Sequence, residues 1–202
     1  MFESGDRLHT ARLMARRFAR DDTETLCRLY ADPAVMRHAG GIMDRETALA
    51  SMQARIFDYY APNPGLGQWA TIERASGECV GLHLLASVRG ESHIQVGFLL
   101  FPQFWSMGYA TEMARAVLDY GFAALRLPRI VAITDLDNHA SQHVLAKLGM
   151  RRNGERRFAA YGPAPLAWFE LDSPASRAQV ADSAGHAAPA MIGSIGGADA
   201  PA

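Results

Sequence analysis

Residues 95–112, QVGFLLFPQFWSMGYATE, decide how the rest of the chain is arranged. The segment opens as an extended apolar run, VGFLL, and breaks at Pro102. It then passes through Ser106, Met107 and Gly108 into helical spacing that begins near Tyr109. A strand that hands over to a helix through a short turn leaves the first-turn N–H groups without intrahelical acceptors. Those donors lie at the positive end of the helix dipole and suit a phosphate or another anion. Gly108 would let an anion reach the backbone and tolerates positive φ. The same residues also describe an ordinary strand–turn–helix junction. Neither G-x-x-x-x-G-K-[ST] nor G-x-G-x-x-G occurs in the chain, so this is neither a Walker loop nor a dinucleotide fingerprint.

Upstream, residues 68–74, 78–88 and 92–100 read as a meander of strands with Ser76-Gly77 and Arg89-Gly90 as turns. Downstream, Ala110, Met113, Ala114, Val117, Gly121 and Leu125 give the helix after Gly108 a narrow, small-residue face that can lie close to a sheet. The apolar run 129–134 reads as a strand buried on both faces. Asn138 then opens a helix that Gly149 stops, and 151–159 with 165–172 form a closing hairpin. At the beginning, residues 7–18 read as a strand. Asp21 or Asp22 caps a helix to about Tyr30 that turns Leu26, Leu29 and Tyr30 inward. Asp44 caps another, to about Tyr60, with Leu49, Met52 and Ile56 at helical spacing. From Ser173 onward the chain is rich in Ala, Gly, Ser and Pro without aromatics, which predicts a disordered tail. The expected organisation is one domain over 1–172 and a low-complexity segment over 173–202.

The 202 residues are 49% hydrophobic and carry a formal net charge of -1. That is globular composition, and it argues against an electrostatic nucleic-acid or membrane binder. Cys27 and Cys79 show no zinc spacing. The first thirty residues lack a secretory apolar core, and no apolar run could span a bilayer. We expect a cytoplasmic protein with reduced thiols and neither nucleic acid nor membrane as partner. His139 and His143 stand at i, i+4, but no Glu follows His139 as in H-E-x-x-H, and no metal is expected.

Taken together, RLHTARLMARRFARDD, ADPAVMRHAGG, VGFLLFPQFWSMGYATE and DLDNHASQHVLAKLGMRRNG resemble, in that order, the GNAT (general N-acetyltransferase) superfamily. Within it they resemble the branch that includes enzymes acetylating ribosomal-protein N-termini. The resemblance covers roughly residues 7–172. It implies an α+β fold: a mixed, mostly antiparallel central sheet flanked by helices and splayed to hold CoA. It implies acetyl-CoA as acyl donor, a protein or small-molecule amine as acceptor, and a monomer or homodimer. The family's Gln/Arg-x-x-Gly-x-Gly/Ala motif falls on Trp105 to Ala110. Gly108 and Ala110 match, Trp105 departs, and Met107 lacks the positive charge often found there. The implied pyrophosphate site is the backbone of Ser106, Met107, Gly108, Tyr109, Ala110 and Thr111. The implied pantetheine strand is Phe98, Leu99 and Leu100, with Asn138, and Ser141 one turn on, reaching the arm.

The family's base and thiol acid do not carry over. Many relatives have Glu where this chain has Gln95, and some have Tyr where it has Leu145. His93, Glu91, His38 and Tyr161 remain as candidates for a proton-transfer role, and the sequence does not choose among them. The same two departures leave open a catalytically silent CoA-binding sensor or interaction protein. Nothing in the sequence selects the acceptor.

Overall fold

The computed structural model describes residues 7–176. Its strands are β1 (Arg7–His9), β2 (Leu13–Arg17), β3 (Gly67–Glu73), β4 (Cys79–Ser87), β5 (Ile94–Leu100), β6 (Arg129–Asp135), β7 (Arg151–Arg156) and β8 (Leu166–Asp172). The helices are α1 (Thr23–Ala31), α2 (Pro33–Met36), α3 (Arg45–Met52), α4 (Asp58–Tyr60), α5 (Tyr109–Ala123) and α6 (His139–Lys147). One sheet runs β1-β2-β3-β4-β5-β6-β8-β7. Every neighbouring pair is antiparallel except β5 and β6. The mixed, mostly antiparallel sheet expected from the sequence is therefore present.

Helices α5 and α6 cover one face. There Met113, Ala114, Val117 and Leu145 pack with Leu85, Val96, Ile130 and Ala132. Gly121 is what lets α5 lie so near: a Cβ there would come within 2.7 Å of the Ile130 side chain. The other face carries two separate clusters. Helices α1 to α3 bury Leu26, Leu29, Met36, Met52 and Ile56 against Ala70, Ile72 and Leu82, with Leu99 at the margin. Further along, Val88, Val131, Phe158, Leu166 and Trp168 form a smaller group. The sheet parts between these two groups.

Several local expectations are corrected. The strand expected over 7–18 is a hairpin. The Leu13 N–H donates to Thr10 Oγ1 at 2.9 Å and the Thr10 N–H donates to the Leu13 carbonyl at 2.9 Å, so a threonine closes a turn that alternation does not mark. Asp22 does not cap α1 with its side chain. Arg16 grips its carboxylate at 2.7 and 2.8 Å, and the Ala19 N–H donates to it. Asp44 does cap α3, accepting from the Thr47 N–H at 2.8 Å. Leu49 is 39% exposed, because the buried row of that helix runs through Ala48, Met52 and Ile56 and Leu49 lies one residue off it. Between α3 and α4 the helix widens to a π turn over Gln53–Phe57. α5 ends at Ala123. The sequence expectations for the tail beyond residue 176 lie outside the described residues.

Candidate active site

The site begins where β5 and β6 meet. They share a single register pair, Gln95 with Val131, and then separate. On its other side β5 is fully paired to β4 from Ile94 to Leu100. The Phe101 N–H donates to the Val80 carbonyl of β4. Backbone alternation therefore turns Leu99 toward β4 and the groups of Phe98 and Leu100 toward the gap. The Leu100 carbonyl is taken by the Trp105 indole N–H at 2.7 Å. That leaves the Phe98 N–H and C=O and the Leu100 N–H as the open edge. Of the three strand positions picked from the sequence, Leu99 lies on the wrong side to pair through its backbone. Gly81 makes this arrangement possible. A Cβ there would fall 2.2 Å from the Leu99 carbonyl oxygen and 2.7 Å from Leu100 Cα, so only glycine lets β4 run this close under the end of β5.

Beyond β5, the chain reaches α5 through a loop whose last residue, Gly108, is left-handed at φ 81. Ser106 also has positive φ, 61. The first backbone bond of α5 runs from the Glu112 N–H to the Gly108 carbonyl, at 3.0 Å. Among the described residues the N–H groups of Tyr109, Ala110 and Thr111 thus have no backbone acceptor, as the turn-to-helix reading requires. Ser106, Met107 and Gly108 are exposed, whereas the Tyr109 side chain is buried and its hydroxyl donates to Glu73. Tyr109 can offer an anion its main chain only.

Two supports of this loop are invisible in local sequence. The first is Arg12, from the β1–β2 turn. Its Nη1 donates to the Met107 carbonyl at 3.0 Å and its Nε to Glu112 at 2.7 Å, and its guanidinium lies 4.5 Å from the Tyr109 ring centroid. A positive charge therefore stands beside a loop whose own sequence has none. Burial tends to raise the Glu112 carboxyl, but hydrogen bonds from the Thr10 hydroxyl, the Arg12 N–H and the guanidinium outweigh it and hold the group below the usual range. The second support is His83 on β4, fully buried beside the Phe98 ring. A carbonyl can only accept, so Nε2–H donates to Ala110 at 3.3 Å, and Nδ1 accepts from the Thr71 hydroxyl at 2.8 Å. Burial pushes this imidazole down to about 4. Both residues join the first turns of α5 to distant strands, across sequence separations no motif spans.

At the other lip of the gap, Asn138 is the N-cap of α6. Its Oδ1 accepts from the Ser141 N–H at 3.0 Å, which leaves its amide NH2 unspent on the cap. Leu145 is buried in the core and has no role in the gap.

The proton-transfer candidates separate clearly. Tyr161 packs near Gln95: its hydroxyl accepts from Gln95 Nε2 at 3.1 Å and from the Arg89 N–H at 3.3 Å, and Arg89 covers its ring. His93 sits edge-on to Trp168, with Nδ1 buried and lacking a hydrogen-bond partner among the described residues; the Glu91 carboxylate stands 3.8 Å away. His38, in the turn after α2, reaches across to the end of β6, with Nδ1 3.0 Å from Asp135 Oδ2 and 3.5 Å from Asp137 Oδ1. His139 and His143 are both exposed on α6. Among the described residues the three groups that gather ligand-type atoms within 4.8 Å are instead His38, Asp135 and Asp137, a trio that sequence spacing does not show.

The Acetyltransferase (GNAT) domain family matches residues 12–151. The chain belongs to the GNAT family. The uncharacterized N-acetyltransferase YoaA of Bacillus subtilis is 30% identical over 159 residues, which cover 76% of this chain and 88% of that one. The FsC-acetyl coenzyme A-N(2)-transacetylase of Aspergillus fumigatus is 32% identical over 152 residues, 71% of this chain and 64% of that one. Among solved structures, the GNAT-family acetyltransferase of Bacillus anthracis superposes with a TM-score of 0.69 at 26% identity, covering 82% of this chain and 98% of that one. The chain in which β5 and β6 part beside the open first turn of α5 is thus a GNAT N-acetyltransferase. GNAT acetyltransferases use acetyl-CoA. No helix among the described residues is long and apolar enough to cross a membrane.

Proposed function

We propose that this GNAT chain transfers the acetyl group of acetyl-CoA to a primary amine, either a protein N-terminus or a small-molecule amine, by direct attack without an acyl-enzyme. The observation that carries the reading is the parting of β5 and β6 after one register pair, next to three unpaired N–H groups at the start of α5. The diphosphate is held by main-chain donors from Ser106 to Thr111, with Arg12 close by. The pantetheine arm lies along β5 and pairs with Phe98, and the Asn138 amide reaches it from the far lip. The donor supplies a thioester whose carbonyl accepts the amine. The Phe98 N–H is placed to stabilise the oxygen that becomes negative.

Direct attack suits the thiols present. Burial raises the Cys79 thiol, and Cys27 is buried in the helical cluster, so neither is a ready nucleophile. The domain proposed to carry this activity spans residues 1–172. Titration calorimetry with acetyl-CoA, followed by a panel of amines assayed for thiol release and product mass, tests the proposal. Micromolar binding and at least one acetylated amine are expected; no binding at high micromolar donor would refute it.

A further inference from the structure

The turn that carries His38 spans the gap. Met36 and Ala39 pack into the cluster that includes Leu99 of β5, while the His38 ring crosses to Asp135 at the end of β6. By strand alternation Asp135 shares a face with Val131 and Ile133, and that is the face away from α5 and α6. The ring therefore lies over the opening, on the side left free by the cofactor helix. It is only partly covered, with 21% of the side chain exposed. The turn is held by the Ala39 and Gly41 N–H groups, both donating to the Met36 carbonyl at 3.0 and 3.1 Å.

An ionised carboxylate can only accept, so the Asp135 contact fixes the neutral imidazole with its proton on Nδ1. The lone pair is then on Nε2, which has no hydrogen-bond partner among the described residues. A carboxylate that sets the tautomer, with the other ring nitrogen unpartnered on a partly exposed ring, is the arrangement of an oriented general base. Resting on the acetyltransferase reading above, we propose that His38, oriented by Asp135, is the base that deprotonates the attacking amine. The amine nitrogen forms a bond to the thioester carbonyl carbon, the C–S bond breaks, and the sulfur leaves with its electron pair. The proton lost by the nitrogen passes to His38 Nε2 and returns to the thiolate directly or through water. The products are the amide and free CoA. Asp135 is a positioning residue. Asp137, 3.5 Å from the ring's Nδ1, is the other carboxylate beside it, with Arg37 3.9 Å from Asp137; Asp137 offers an incoming ammonium group a counter-charge.

The test compares wild type with His38→Gln, which keeps a donor toward Asp135 but has no base, and with Asp135→Asn. With an amine found in the panel, His38→Gln should lower kcat about 100-fold or more and remove the fall of kcat/KM toward acid pH. Its dissociation constant for acetyl-CoA should change less than about twofold, since the ring's contacts are to Asp135 and Asp137 and not to residues 106–111. Asp135→Asn should lower kcat at least about tenfold, because it releases the tautomer. Independently of turnover, the nitrogen shifts of His38 in labelled wild-type protein should report the Nδ1–H tautomer. Wild-type rates should survive a chelator. An unchanged kcat and pH profile in His38→Gln, an Nε2–H tautomer, or activity that requires a divalent cation would each overturn the assignment while leaving the acetyltransferase standing. A wild type that acetylates no amine would overturn both.

Discussion

Replacing His83 with glutamine should make the protein's stability less sensitive to acid. The ring is fully buried and its imidazole is pushed down to about 4 by desolvation, with the bond to the Ala110 carbonyl opposing the shift. In the unfolded chain the same group titrates near 6.5. Below that pH the unfolded state binds a proton that the folded state refuses, so the contribution is fully present above 6.5 and is lost as pH falls toward 4. Between about pH 7.5 and about pH 5 the loss from this one group is about 2 kcal/mol. The carboxylates held below their usual range, Asp22, Glu112 and Glu170, follow the same sign but lose their contribution at lower pH and are common to both proteins. The assay is urea unfolding of wild type and His83→Gln at the two pH values, followed by tryptophan fluorescence. The variant should start about 1–3 kcal/mol less stable, because one amide does not reproduce both ring contacts, to the Thr71 hydroxyl and the Ala110 carbonyl. On acidification it should lose about 2 kcal/mol less than wild type. An equal loss in the two proteins would refute the account of His83 as a buried, neutral tie between β4 and α5. Because that tie ends on Ala110, acetyl-CoA affinity should also fall in the variant.

Further outcomes follow from the same contacts. Gly108→Glu places a negative charge at a left-handed position, its Cβ 3.4 Å from Arg12 Nη2; calorimetry should show acetyl-CoA binding lost while the circular dichroism spectrum is kept. Gly81→Ala drives a methyl group against the backbone of Leu99 and Leu100, which should cost about 3 kcal/mol or more in chemical denaturation. Arg12→Ala breaks a half-exposed ion pair, so unfolding should shift by only about 0.5–1 kcal/mol. The same variant removes the positive charge beside the phosphate loop, and its acetyl-CoA dissociation constant should rise about fivefold or more, with a flatter dependence on salt.

Much of this protein was legible in its sequence because the relevant physics is local. Alternation marked β3, β4 and β5, and helical spacing with small residues marked α5. Asp44 and Asn138 announced their helices by capping chemistry, and Gly108 announced a backbone that must turn left-handed before α5. Where local marks were ambiguous, neighbours in space decided. The β1–β2 turn depends on a threonine bonding three residues ahead, and Asp22 was drawn from a cap to Arg16. The site itself needed tertiary structure. Arg12 and Glu112 are separated by 100 residues, and His38 and Asp135 by 97. Residue type alone could name His38 as one candidate among four, but only folding brings a carboxylate to its Nδ1. Short-range sterics and hydrogen bonding write the elements into the chain. Which charges meet across the gap between β5 and β6 is set by how those elements pack.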